Sequence, residues 1–208
     1  MLIRHRGNTP VVDPTAYVAP NATLVGDVRI GARARVMYGA VLDAEGSSIT
    51  VGEATIVSEN AVLRATAVAS TSHPVMVGDH VFVGPQTTLL GCDIGRCVYF
   101  GTGATVLQGA RLGAGAVVAV GALVHANAVL PEEFFVAPMT VAVGNPVRVV
   151  SPDRVEEMTA AVRQVNFAAA AFGIETDWED RITRYEQIAE VRSREFAAHA
   201  DDEIITSG

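Results

Sequence analysis

The sequence predicts an all-β solenoid, a parallel β-helix of hexapeptide repeats, followed by two C-terminal α-helices. Three observations predict it. First, every sixth residue from Ile94 onward is apolar: Ile94, Phe100, Val106, Leu112, Val118, Val124, Leu130 and Val136. With 50% of the chain hydrophobic, such a run in one fixed register arises by chance roughly once in 256 trials. Second, glycine often follows the apolar residue, as at Gly31, Gly52, Gly84, Gly95 and Gly113, which suits the tight corners of a repeat solenoid. Third, the six-residue beat stops after Val136 and helical signals replace it.

The beat begins upstream with Val12, Val18, Leu24, Ile30, Val36 and Leu42, and returns as Val51, Val57, Leu63 and as Val77, Val83, Leu89. Each repeat makes one short strand and one turn, and three repeats make one triangular coil, so residues 18 apart should stack. Ile94, Leu112 and Leu130 form one such ladder, and Phe100, Val118 and Val136 another. The beat breaks near Ala44 to Ser48 and, with a longer insertion, within Ala65 to Pro74. Insertions in a solenoid project as loops from one face, often the binding face, so both loops are candidate sites.

Gly144-Asn145-Pro146 is turn punctuation. It divides a β-helix domain, residues 1–150, from a helical segment, residues 151–208, that packs on it. Ser151-Pro152 reads as a helix N-cap with proline at the first helical position, and that helix runs to about Phe172 and stops at Gly173. Thr176 with Glu179 three residues on is a capping-box pattern. It starts a second helix that runs to about His199. Ile182, Tyr185, Ile188, Ala189 and Phe196 give this helix an apolar stripe, expected to pack against the β-helix or a neighbouring subunit.

Net charge is −8, with no basic block, which argues against nucleic acid as a partner. Two cysteines, Cys92 and Cys97, cannot make a disulfide framework. Met1 to Pro10 lacks an apolar signal core, and no stretch approaches the ~20 apolar residues of a membrane span. A cytoplasmic protein with no membrane attachment and no cofactor is expected.

Four segments resemble the γ-class carbonic anhydrases and their phenylacetate-degradation and carnitine-operon relatives. They are Leu24-Val25-Gly26-Asp27-Val28, Tyr38-Gly39-Ala40-Val41-Leu42, Gly91-Cys92-Asp93-Ile94-Gly95 and Gly144-Asn145-Pro146-Val147-Arg148-Val149. The resemblance covers about Thr9 to Val150. It implies a left-handed β-helix, a homotrimer, and zinc held by three histidines between subunits. At the implied ligand positions this chain has Arg64, Pro85 and Leu90. Catalytic zinc takes about three protein ligands and an open position for water. Arginine stays protonated, and proline and leucine side chains have no donor atom. The resemblance therefore implies a scaffold whose family metal site is lost, with no metal expected.

Arg64 is a candidate source of positive charge in the old pocket, with Asp43, Glu45 and Glu59 as partners. The same three carboxylates are also candidates for acid–base work. His73, in the longer insertion, is a candidate base because its unperturbed pKa lies near neutrality. Tyr99 and Gln108, on coils beside the remnant pocket, are candidate ligand-orienting residues. His80 is expected at a coil corner and His125 facing outward, and no two histidines share a metal-ligand spacing. Cys92 reads as packing. The leading expectation is a γ-carbonic-anhydrase-like homotrimer with a structural, regulatory or ligand-binding role, and with a small-molecule ligand possible at the subunit interface. The alternative is a metal-independent enzyme at that cleft: an acyl/CoA-type transferase, or a cofactor-free isomerase, cyclase or hydrolase.

Overall fold

The computed structural model describes residues 1–68 and 71–205. They form a left-handed parallel β-helix of about 8 turns followed by helices. Strands of two or three residues stack into three faces, one of ten strands and two of seven. The expected 18-residue ladders are present. Ile94 pairs with Leu112 and Leu112 with Leu130, while Phe100 pairs with Val118 and Val118 with Val136. Inside the ten-stranded face, Leu24, Leu42, Leu63 and Leu89 form one fully buried file. Each such side chain stabilises the fold by about 1.5–3 kcal/mol relative to exposure. Successive coils approach too closely for a side chain at some corners: a Cβ on Gly52 would lie 2.5 Å from the Gly78 backbone.

Both insertions take shape. Ala44–Ser48 is a short loop between the strands Val41–Asp43 and Ile49–Val51. The longer insertion contains two strands, Thr66–Val68 and Thr71–His73, paired antiparallel as a hairpin.

The helices depart from expectation at their starts. Arg154 N–H donates to the Ser151 carbonyl at 3.0 Å, so Ser151-Pro152 makes a turn and α1 begins one turn later, Val155–Val165. Asn166 then takes a left-handed conformation, φ 45°, which asparagine tolerates better than most residues. It separates α1 from α2, Phe167–Phe172, which stops at Gly173 as expected. The capping-box pattern does not start the next helix. Asp177 instead closes a turn on Glu179 N–H at 3.1 Å, and Asp180 caps α3, Arg181–Phe196, by accepting from Thr183 N–H.

α3 turns only part of its apolar stripe toward the rest of the chain. Ile182 and Tyr185 are 75% and 59% exposed, whereas Arg184 is buried and Ile188, Val191 and Arg192 are half-buried. The underlying surface holds a buried carboxylate, Glu45, which calls for arginine rather than leucine. At ~1.5 Å per residue, sixteen residues of helix cover about 24 Å, or about five coils at ~4.8 Å each. The chain thus travels back toward its first coil. A 3₁₀ turn, Ala197–Asp201, leads into a strand, Glu203–Ile205, that pairs antiparallel with Leu2–Arg4. Arg148–Val150 does the same at the other end, against Val141–Val143. Each end of the ten-stranded face is therefore finished by an antiparallel strand, Glu203–Ile205 at one end and Arg148–Val150 at the other. No helix among the described residues is long and apolar enough to cross a membrane.

Candidate functional site

The β-helix register places Asp43, Arg64 and Leu90 side by side, as the last residues of three neighbouring strands. Asp43 Oδ1 accepts a hydrogen bond from Glu45 N–H at 3.0 Å. This aspartate turn folds the Ala44–Ser48 loop back and buries Glu45 beside Asp43. Their side chains are only 4% and 7% exposed, so their charge must be met by protein groups. Arg64 meets it partly, with Nη2 3.5 Å from Asp43 and Nε 3.3 Å from Glu45, the latter without hydrogen-bond geometry. Arg192 of α3 pairs with Glu45 alone, through two bonds at 2.9 and 2.5 Å. The Phe196 ring lies 5.2 Å from the Arg64 guanidinium and 4.2 Å from that of Arg192, favourable for both cations.

A second cluster adjoins this one. His5 Nδ1 lies 2.6 Å from one oxygen of Asp202, and His199 Nδ1 lies 3.0 Å from the other. The two rings stack at 4.3 Å, and His199 Nε2 reaches toward Asp43 Oδ2 at 3.7 Å. Partial burial pulls the Asp202 carboxyl upward, but hydrogen bonds from His199 and His5 outweigh it and hold the group below the usual carboxylate range. Among the described residues, His5, His199 and Asp202 are the one group of three such donors close enough together to hold a metal ion. The N- and C-terminal segments meet only in three dimensions, so no local spacing revealed this cluster. No two histidines share a metal-ligand spacing along the chain, yet the fold brings His5 and His199 into contact.

The other candidates are dispersed within the single chain. Pro85 sits at a corner before the strand Thr88–Leu90, away from the Arg64–Leu90 edge. Glu59 is exposed in a turn, and no ion pair joins it to Arg64 among the described residues. Of the three carboxylates expected to face Arg64, Asp43 and Glu45 do so and Glu59 does not. His73 ends the hairpin, and its Nε2 bonds the Ala170 carbonyl of α2 at 3.1 Å. This contact engages one of the two ring nitrogens. Tyr99 is on another face, 48% exposed and stacked on Phe82 at 5.3 Å. Gln108 is buried at a corner with Oε1 unpaired. His80 takes a corner, φ 57°. His125 does not face solvent. It leaves the solenoid core but is covered by α2, with Phe167 edge-on at 6.0 Å. It lines a cavity of about 220 Å³ with Leu107, Trp178 and Tyr185. Burial lowers its pKa. Cys92 is buried and its thiol pKa is pushed up by burial, so it packs rather than attacks. Cys97 is exposed.

Chemically, the Asp43–Glu45 pair is closed under arginine and aromatic cover, an arrangement suited to holding α3 in place. It leaves no free carboxylate pair for proton transfer.

No family model matches the chain. It is 34% identical over 116 residues to the mitochondrial γ carbonic anhydrase 1 of Arabidopsis thaliana, a match covering 52% of this chain and 42% of that protein. The chain thus spans less than half the length of that relative. A carbonic anhydrase of Geobacillus kaustophilus is 29% identical over 167 residues, covering 79% of this chain and 86% of that one. Among solved structures, a hexapeptide transferase family protein from Anaplasma phagocytophilum superposes with a TM-score of 0.60 at 27% identity, covering 79% of this chain and 92% of that chain.

Proposed function

This chain is a γ-carbonic-anhydrase-like hexapeptide-repeat protein, and on that premise we propose that it holds no catalytic zinc at the family's position and serves a structural, regulatory or ligand-binding role as a homotrimer. The closure of Asp43 and Glu45 by Arg64 and Arg192 carries this reading. Hydration of CO₂ by this family's route needs zinc-bound hydroxide. Arg64, Pro85 and Leu90 supply no lone pair for the metal, and the guanidinium of Arg64 would repel it. Self-association draws support from the exposed stripe of Ile182 and Tyr185 on α3, because apolar side chains of this size in a row favour burial against a partner. The free thiols of Cys92 and Cys97 fit a reducing compartment such as the cytoplasm.

The test is CO₂ hydration by protein saturated with zinc, with native mass measured on the same sample. A trimer with no hydration above buffer is expected. Zinc-dependent hydration would overturn the reading.

A second reading, a metal-independent acyl or CoA-type transferase, is favoured by the resemblance to the Anaplasma transferase-family structure. It is weakened by the engagement of His73 Nε2 with Ala170. Acyl transfer from acetyl-CoA that disappears in His73→Ala would favour it over the scaffold reading.

A further inference from the structure

We propose that His5, His199 and Asp202 form a binding site for one divalent transition-metal ion, which ties the C-terminal segment to the first coil of the solenoid. The site adjoins the Arg64–Leu90 edge, to which the family resemblance assigns zinc, but shares no ligand with it, and it does not depend on the function proposed above.

The donor set is two imidazoles and one carboxylate. One ligand atom from each lies within 4.8 Å of the others. Imidazole with carboxylate suits zinc, cobalt and nickel and does not suit magnesium or calcium, which take oxygen donors. Zinc-to-ligand bonds of about 2.0–2.2 Å place neighbouring ligand atoms ~3.3 Å apart. His5 Nδ1 lies 2.6 Å from Asp202 Oδ1 and His199 Nδ1 lies 3.0 Å from Oδ2, so shifts of about an ångström would bring the donors to these spacings around an ion.

The geometry is held in advance. His5 is 1% exposed, and its ring stacks on that of His199 with 22° between planes. Its Nδ1 faces Asp202, while Nε2 is sealed and without a partner. A sealed ring cannot swing out to water, so Nδ1 stays directed at the other two donors. His199 adds a supporting contact: with Nδ1 toward the ion, its Nε2 faces Asp43 Oδ2 at 3.7 Å. A carboxylate behind a ligating histidine orients the ring and raises its basicity.

Proton accounting is consistent. Each ring binds the ion through an unprotonated Nδ1, so a proton held there moves to Nε2 or leaves to solvent. In His199 the shifted proton points at Asp43. In His5 the ion replaces the Nδ1···Asp202 hydrogen bond, and the ring's remaining proton sits on the buried Nε2, a cost that the metal–ligand bonds must offset. Asp202 binds as the carboxylate, and its negative charge offsets part of the ion's.

Cobalt(II) provides the test, since its visible absorption reports the number and kind of ligands. Untagged, metal-stripped protein is titrated with cobalt, followed by zinc competition and elemental analysis. One ion per chain is expected, displaced by zinc. His199→Ala and Asp202→Asn should each weaken binding by about tenfold or more, whereas Cys97→Ser should bind as the parent does. Circular dichroism and native mass of each variant show whether it is folded. Asp202→Asn keeps the shape of the side chain and provides the check if His199→Ala fails to fold. Substoichiometric binding, or full binding retained in the folded variants of His199 and Asp202, would overturn the proposal. Zinc-dependent CO₂ hydration that persists in Asp202→Asn would overturn the proposed function and leave this site standing.

Discussion

Glu45 and Arg192 stand 147 residues apart in the chain and meet in a two-bonded ion pair between the first insertion loop and α3. Both are largely buried, at 4% and 14% side-chain exposure. Removing one partner of such a pair strands the other charge in a poorly solvated place. Arg192→Ala is therefore expected to destabilise the fold by about 2–4 kcal/mol, less than a complete stranding because Arg64 remains near Glu45. Urea unfolding measures it. The double variant Glu45→Leu with Arg192→Met should recover most of the loss, since well-packed apolar residues replace buried ion pairs at little cost.

Arg64→Ala should behave differently. Its side chain is 37% exposed and its contacts with Asp43 and Glu45 are long, at 3.5 and 3.3 Å. A pair of this kind contributes roughly 0–1 kcal/mol. Urea unfolding of Arg64→Ala beside Arg192→Ala gives the comparison. A loss from Arg64→Ala as large as that from Arg192→Ala would make Arg64 the principal counter-charge of the loop.

The imidazole of His125 gives the fold a pH dependence. Burial holds its pKa below the ordinary value of 6.5, so over the interval between the two values the unfolded chain binds the proton and the folded chain does not. Stability is then fully present above the unfolded value and declines as pH falls through the folded one. The decline cannot exceed about 1.4 kcal/mol per pH unit from this group. Urea midpoints of the parent and of His125→Phe, compared between about pH 5 and 8, should diverge toward the acid end, with the variant changing less.

Gly52→Ala tests the spacing of the coils. The added methyl would meet the Gly78 backbone at 2.5 Å, where only a shift of one coil against the next makes room. Overpacking of this sort costs about 1–3 kcal/mol. A lowered melting temperature is expected, while Gly103→Ala, with no atom within 4 Å but a positive φ of 68°, would lose stability through backbone strain alone.

The solenoid was readable because its order is local and repeated. Ile94, Leu112 and Leu130 declare their stacking by spacing alone, and the register confirms it. Arg64 and Asp43 were readable as neighbours through the family resemblance, although neither composition nor periodicity paired them. Arg192 was not, because an arginine on a charged helix has the same local signature whether it faces water or a buried carboxylate. His125 misled for a related reason: it does leave the solenoid core, but α2 then covers it, and no pattern within one coil reports what a distant helix will do. The starts of α1 and α3 moved because Ser151 and Asp177 each serve a turn before a helix, and capping motifs cannot say which of two nearby polar residues will win.

The pairing of Glu203–Ile205 with Leu2–Arg4 imposes a waiting time on biosynthesis. Arg4 leaves the ribosome 199 residues ahead of Glu203, its ion-pair partner. At ~5–20 residues per second that interval is about 10–40 s. Throughout it the growing coils can stack on one another, but the outermost strand has no neighbour on its open side. The Leu2–Arg4 strand thus stays open to a stray strand on that side until Glu203–Ile205 has been made.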